Sequence, residues 1–226
     1  MYWVGDLTFS GSVLTPLKPP AHDPPADAPY DRATMGFYED QAPVYAASAR
    51  DGPSRNLGAF LERLQPGARI LELGCGDGRD SEAMLSRGFD VDATDGSSAM
   101  AKQAEIRLRR PVRVMRFDEL VVEQAYDGVW ANASLLHAPR GALAEVLSRI
   151  FTALRPGGFH FASYKTGQHE GRDGLGRYFN YLSIADLEAV YRRSAPWTFL
   201  SVERALGGDY EGGRRPWAAV TVRRPG

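Results

Sequence analysis

Apolar positions along the chain recur with two periods, and the switches between them mark the elements. "PGARILEL" is a short apolar run and "FDVDATD" alternates apolar with polar residues, so both read as strands. "VRVMRF", "YDGVWANA" and "FHFASYK" read as three more. Between them lie helical patterns. "DSEAMLSRG" is closed by Gly88, "SSAMAKQAEIRLRR" is capped by Ser97 or Ser98, and "RGALAEVLSRIFTALRPGG" is a long amphipathic helix ending at Pro156. Upstream, "TMGFYEDQAPVYAASA" places Phe37, Tyr45 and Ala49 at near-helical spacing, and "SRNLGAFLERL" is a further helix. Downstream come a glycine-rich loop, "TGQHEGRDGLGR", and a helix, "SIADLEAVYRRS", capped by Ser183. "WTFLSVERAL" and "PWAAVTVRR" pair as an antiparallel hairpin around a mobile "GGDYEGGRR". Strands alternating with helices of this length imply parallel βαβ units with right-handed crossovers. The expected fold is α/β, a Rossmann-like doubly wound sheet of seven strands, mostly parallel with a C-terminal antiparallel hairpin. There is no internal repeat.

Residues 1–34 depart from this pattern. "PLKPPAHDPPADAPYD" is dense in Pro, Ala and Asp, and Pro both blocks helix and removes backbone donors. The segment reads as a flexible leader, with one domain over residues 35–226 and translation of the natural protein starting at Met35. The 226-residue chain as a whole has the composition of a globular protein, 43% hydrophobic and 24% charged. A net charge of -1 argues against a broad nucleic-acid footprint, and no apolar run reaches the roughly 20 residues a membrane span needs. A single cysteine, Cys75, forms no intrachain disulfide and suits a reducing cytoplasm.

The first strand runs straight into three glycines in "RILELGCGDGRD". Glycine permits positive φ and close approach of a ligand to the backbone, and the helix that follows presents free amides. In a doubly wound sheet that turn lies where ligands bind, although glycines at such a turn also serve packing alone. Asp95 ends the second strand about 20 residues later, where dinucleotide folds place an acid that accepts two ribose hydroxyls; it also suits capping of the helix at Ser97. The spacing here is E-x-G-x-G-x-G, and Glu72 and Asp77 would repel a pyrophosphate. A cationic nucleoside without phosphates fits better.

"ILELGCGDGRD", "VDATDGSSAM", "YDGVWANASLLH" and "LRPGGFHFASYK" resemble, in order and interval, the first four motifs of class I S-adenosylmethionine-dependent methyltransferases. With "GRYFNY" added, the chain looks most like the tellurite-resistance-like small-molecule methyltransferases. The resemblance covers residues 37–224 and implies S-adenosylmethionine as cofactor, S-adenosylhomocysteine as product and a small-molecule acceptor. By the same resemblance, Glu72 and the backbone of Gly74, Cys75 and Gly76 hold the amino-acid part of the cofactor, with help from Asp80. Asp95 takes the ribose, and Gly96 and Ser97 line the adenine edge. Many relatives carry a "GD" pair at the third strand end; here Phe117 stacks on the base or Asp118 reaches it. Asn132 and Ala133 approach the methionine end, and Tyr45 closes over the sulfonium or packs in the core.

His137, after the fourth strand, is placed to act as a general base or to pack and cap the next helix. Lys165 ends the fifth strand and faces the site or solvent. Arg172, Arg177, Tyr178 and Tyr181 form an anion-binding lid over the substrate or a solvated loop with an aromatic anchor. His22, His160 and His169 are far apart, so no metal site is expected. The leading reading is methyl transfer to a small molecule. A non-catalytic cofactor-binding module and an NAD-dependent oxidoreductase are the alternatives. The acceptor atom and oligomeric state are not read from the sequence.

Overall fold

The computed structural model describes residues 28–48, 52–208, 210 and 213–226. Strand β1 (Arg69–Leu73) is apolar at three of five positions and buried at four, and sits between two parallel neighbours, β2 (Asp90–Asp95) and β4 (Tyr126–Ala131). Ile70 pairs with Val91 on one side and Gly128 on the other. Strand β3 (Arg113–Val114) lies outside β2, and β5 (Leu154–Lys165) lies parallel beyond β4. The final strands, β8 (Thr198–Gly208) and β9 (Arg214–Arg223), are antiparallel, and β9 inserts between β5 and β8. The seven-stranded order is β3-β2-β1-β4-β5-β9-β8. Successive strands move outward one way from β1 and then reverse at β4, so the crevice between the loops after β1 and β4 is the topological switch point.

Both faces of this sheet are covered. Helices α2 (Leu57–Leu61), α3 (Arg79–Ser86) and α4 (Ser98–Leu108) pack on one face through Phe60, Met84 and Ala104. There Trp130 and Phe161 stack at 4.2 Å. Helices α5 (Arg140–Ala153) and α6 (Ile184–Ser194) cover the other through Leu143, Leu147, Leu187 and Tyr191. The buried His160 is held between Val129 O and Tyr191 Oη at 3.1 Å each, so it is a core histidine whose pKa burial pushes down to about 4. Helix α1 (Arg32–Ala47) lies against α4. Glu39 fastens the two helices: its carboxylate accepts from Ser97 Oγ at 2.7 Å and from the Ser98 hydroxyl. No helix of the described residues is long and apolar enough to cross a membrane.

Several expectations are corrected. The long helix ends at Ala153, not Pro156, because the residue before a proline avoids helical backbone. Leu154 instead opens β5 opposite Tyr126, with an irregularity before Gly128 pairs with Phe159. The third strand shrinks to two residues. The glycine-rich loop contains a small hairpin, β6 (Gly171–Arg172) against β7 (Tyr178–Phe179). Much of "GGDYEGGRR" is strand, since Gly207 pairs with Arg215 and Gly208 with Arg214. Asp209, Glu211 and Gly212 lie outside the described residues, as does Ala49.

Helix α1 begins inside the expected leader, at Arg32. Asp31 caps α1 by accepting from Thr34 N at 2.8 Å, and its carboxylate receives both Arg172 amino groups at 3.0 and 2.8 Å. Residues 1–27 of that leader lie outside the described residues.

Candidate active site

The β1–α3 turn is built from positive-φ glycines: Gly74 at +74°, Gly76 at +59° and Gly78 at +81°. A Cβ on Gly74 would stand 2.5 Å from Ser134 Cβ, so the turn packs directly on the loop after β4. At Gly76 a Cβ would meet only Met100 Cε, at 3.8 Å. The amides are engaged within the protein. Gly74 N and Cys75 N both donate to Thr94 O at 2.9 Å, and Gly76 N donates to Asp95 Oδ2 at 2.9 Å. The turn therefore offers a ligand its shape and its close-packed backbone, not these three N–H groups.

Asp95 lies at the bottom of the crevice. Its second oxygen, Oδ1, accepts from Ser97 N at 2.9 Å. Burial outweighs those two donors and pushes its pKa up to about 6. Glu72 is more deeply buried; its carboxyl is held well above the usual range by burial and by Asp80, and accepts from the Ser81 hydroxyl. Asp80 accepts from Ser54 N at 2.7 Å and Trp130 Nε1 at 3.0 Å, so it anchors the loop before α2 while bordering the crevice.

Two clefts open at the carboxyl ends of the strands. The first, of about 1170 Å³, has Gly74, Cys75, Gly76, Asp95 and Gly96 along one side and Phe117 and Arg116 beside them. Tyr30, Thr34, Met35, Tyr38 and Tyr45 border it from α1 and the residues before it. The second, of about 1410 Å³, lies toward β5, β8 and β9. Five residues line both: Tyr38, Tyr45, Asn132, Ala133 and His137. This shared seam is fixed by hydrogen bonds. Ser163 Oγ donates to Asn132 Oδ1 and accepts from Ala133 N, at 2.7 and 2.8 Å, and Asn132 Nδ2 donates to Ser54 Oγ at 2.7 Å. Ala133 adopts φ +54° there.

His137 is at the seam, with both ring nitrogens occupied. Nδ1 lies 2.7 Å from Tyr178 O, a pure acceptor, so Nδ1 carries the proton and Nε2 accepts from Tyr38 Oη at 2.9 Å. Burial, with Arg177 and Lys165 nearby, drives its pKa down to about 3. In this structure both nitrogens of the expected base are thus engaged within the protein, with Nε2 facing Tyr38. Tyr38, in α1, is the seam residue that sequence reasoning missed. Its only signal was a seven-residue spacing to Tyr45, which it meets edge-on at 5.4 Å. Arg177 Nη1 also donates to Tyr38 Oη, at 3.2 Å.

Of the other candidates, Lys165 and Arg177 line the second cleft. Arg172, Tyr178 and Tyr181 border neither cleft. Arg172 is turned to Asp31. Tyr178 is buried and its N donates to Thr34 Oγ1 at 2.8 Å, and Tyr181 stacks on Phe179 at 5.2 Å. Arg172 and Tyr178 thereby tie the small hairpin to Asp31 and Thr34 at the start of α1. Asp118 is drawn off the cleft by Arg116, whose Nε and Nη2 donate to it at 3.1 and 3.2 Å, which leaves Phe117 as the aromatic wall. Ser97 also lies outside the lining, because its hydroxyl accepts from Met100 N as the α4 cap. Tyr210, Phe179 and Trp217, also unforeseen, supply rings to the second cleft.

Residues 70–158 match the family model described as a methyltransferase domain. A ubiquinone biosynthesis O-methyltransferase of Xanthomonas axonopodis pv. citri is 32% identical over 151 residues, covering 58% of this chain and 62% of that protein. A trans-aconitate 2-methyltransferase of Variovorax paradoxus is 33% identical over 127 residues, 54% of this chain and 44% of that protein. The chain thus spans less than two thirds of the length of these curated relatives. In fold it is similar to the 1,6-didemethyltoxoflavin-N1-methyltransferase of Burkholderia thailandensis, solved with bound 1,6-didemethyltoxoflavin and S-adenosylhomocysteine; the TM-score is 0.69 at 23% identity, over 91% of this chain and 94% of that one. Residues 70–158 thus match a methyltransferase domain, on a fold similar to that of S-adenosylmethionine-dependent methyltransferases. The finer likeness to the tellurite-resistance-like group is not among these names.

Proposed function

We propose that this protein transfers a methyl group from S-adenosylmethionine to a small-molecule acceptor. The observation that carries this reading is the seam: one cleft built on the glycine turn and Asp95 meets a second cleft at Tyr38, Tyr45, Asn132, Ala133 and His137. Two reactants held on either side of it would touch there.

The first cleft fits the cofactor in shape and charge. Asp95 has both oxygens fixed by backbone N–H groups and, among the described residues, no cationic side chain bonded to it, so a pair of ligand hydroxyls would favour its ionised form. Five carboxylates line this cleft against two arginines, and two of the five, Asp31 and Asp77, are paired with arginines outside it. That balance suits a ligand that is cationic at sulfur and nitrogen. Asp95 would hold the ribose, Phe117 the adenine face and the Asn132–Ala133 turn the methionine end. When bound, S-adenosylmethionine supplies a methyl group on a positively charged sulfur, to which the bond electrons return as the acceptor's lone pair displaces it.

The chain's own work is alignment and exclusion of water. Orientation of this kind contributes about 7–11 kcal/mol to lowering a barrier. Tyr38 is held from both sides by His137 and Arg177, and Asn132 by Ser54 and Ser163, so the seam is rigid without a ligand. No side chain at the seam is a strong base, which favours acceptors that are nucleophilic as anions. A cytoplasmic setting suits the free, buried Cys75. The domain is taken to begin near Tyr30, because a chain started at Met35 would lack the Asp31–Arg172 pair. Incubation with methyl-labelled cofactor and a panel of thiols, phenols, carboxylates and tellurite tests the reading; no label transfer to any small molecule, with tight S-adenosylhomocysteine binding retained, would favour the non-catalytic module.

A further inference from the structure

S-adenosylmethionine carries an α-carboxylate, which the first cleft has to meet among five carboxylates of its own. The amides of Gly74, Cys75 and Gly76 are not available for it, being spent on Thr94 O and Asp95 Oδ2. Two arginines line the cleft. Arg116 is committed: it gives Nε to Asp118 at 3.1 Å and Nη2 to Glu119 at 2.9 Å, and its guanidinium lies 4.7 Å from the Tyr30 ring centre. Arg79, the first residue of α3, is only partly used. Its Nη2 donates to Ser54 Oγ at 3.2 Å, its Nε stands 3.7 Å from Asp80 Oδ1, and its Nη1 has no acceptor among the described residues. The side chain is 22% exposed and Nε is buried, so Nη1 is the accessible nitrogen without a partner. Ser54 Oγ links this guanidinium to the seam, since it also accepts from Asn132 Nδ2 at 2.7 Å. Asp80, fixed by Ser54 N and Trp130 Nε1, stands beside it. A cation and an acid thus lie side by side at the methionine end of the cleft.

Resting on the assignment of S-adenosylmethionine to the first cleft, we propose that Arg79 receives the cofactor's α-carboxylate through Nη1, with the α-ammonium turned to Asp80, and that this pairing holds the sulfur at the Asn132 seam. An α-ammonium and an α-carboxylate sit on one carbon, and adjacent acid and guanidinium groups match that spacing of opposite charges. A carboxylate entering a cleft of carboxylates is repelled unless a cation meets it, and the effect is large where solvent is scarce. Guanidinium hydrogen bonds to a carboxylate are charge-assisted and stronger than neutral ones, and arginine keeps its charge at every working pH. Ser54 and Asp80 already hold the guanidinium in place, so little side-chain freedom is lost on binding. The sequence puts this cation directly after the three glycines, so the turn that shapes the cleft also delivers Arg79 to it. The chain Arg79–Ser54–Asn132–Ser163 then runs by hydrogen bonds from the carboxylate end to the seam.

The test separates the carboxylate from the rest of the molecule. S-adenosylhomocysteine, its decarboxylated analogue 5′-S-(3-aminopropyl)-5′-thioadenosine, and 5′-methylthioadenosine are titrated calorimetrically into the full chain, as wild type, Arg79→Met and Arg79→Lys. Wild type should bind S-adenosylhomocysteine at least about tenfold more tightly than the decarboxylated analogue, as one hydrogen-bonded charge predicts. That preference should fall to one or reverse in Arg79→Met, where the lining left around the carboxylate is acidic, and survive in part in Arg79→Lys. 5′-Methylthioadenosine lacks the whole amino-acid part and should bind wild type and Arg79→Met alike. Equal binding of S-adenosylhomocysteine and its decarboxylated analogue by wild type, or an undiminished preference in Arg79→Met, would overturn the proposal, while saturable S-adenosylhomocysteine binding leaves the methyl-transfer reading intact. Failure of S-adenosylhomocysteine to bind wild type would overturn both. Loss of 5′-methylthioadenosine binding marks Arg79→Met as misfolded, and the wild-type preference with its partial survival in Arg79→Lys then decides.

Discussion

Asp95 makes cofactor affinity depend on pH in a calculable way. Its carboxyl is pushed up to about 6 because it is buried and receives only two backbone donors. Two ribose hydroxyls would add donors to the ionised form and bring the bound pKa back toward the ordinary value near 4. The sign follows from linkage: a group whose pKa falls on binding releases a proton, so binding strengthens as pH rises. With about 6 free and about 4 bound, affinity at pH 5 is weaker than at pH 8 by a factor of about 11/1.1, or about tenfold, and the limiting difference is about 100-fold or 2.7 kcal/mol. S-adenosylhomocysteine itself has no group titrating in that window, so isothermal calorimetry across pH 5 to 8 reads the protein. Asp95→Asn should bind about 10²-fold more weakly at pH 8 and lose most of the slope. A flat wild-type profile, or near-wild-type affinity in Asp95→Asn, would refute the ribose role.

Three other outcomes follow from the packing. Gly74→Ala forces a Cβ to 2.5 Å from Ser134 Cβ at φ +74°, and should cost about 2–5 kcal/mol of stability, read as a lowered denaturant midpoint; an unchanged midpoint would contradict the fit of turn to loop. Arg172→Leu leaves Asp31 buried without its partner and should destabilise by about 3–5 kcal/mol, with partial rescue by adding Asp31→Asn; the same Asp31, held below its ordinary pKa by Arg172 and Thr34 despite burial, makes the wild-type advantage largest at neutral pH and lost as pH falls through its folded pKa. His137→Phe should lower turnover by loosening Tyr38 while leaving the shape of the pH–rate profile in place; loss of an ionisation from that profile, with a fall of about 10²–10⁴ in kcat, would restore His137 as the base.

What could be read from the sequence was what is local. The β1 run, the three glycines, Asp95 at the next strand end, Ser97 as a helix cap and the terminal hairpin all rest on spacings of a few residues, and period alone gives them. The pairs that tie α1 to the rest of the site are not local. Arg172 meets Asp31 across 141 residues of sequence, and Tyr38 meets His137 across 99. No periodicity announces such pairs, so Arg172 looked like a lid residue and Tyr38 like one more helical aromatic. Strands β6 and β7 are two residues each, too short to show alternation. The start of β5 was hidden because "LRPGG" carries helix-ending signals but no strand signal; its pairing with Tyr126 comes from the neighbouring strand. The amides of the glycine turn looked available for a ligand, and only the structure reveals that Thr94 and Asp95 already use them.

The most direct measurement is a crystal structure of the chain with S-adenosylhomocysteine. The nucleoside should lie in the first cleft, with its ribose hydroxyls on Asp95 and its sulfur at the seam formed by Tyr38, Asn132 and Ala133. A ligand bound elsewhere, or a sulfur turned away from the second cleft, would contradict methyl transfer across that seam.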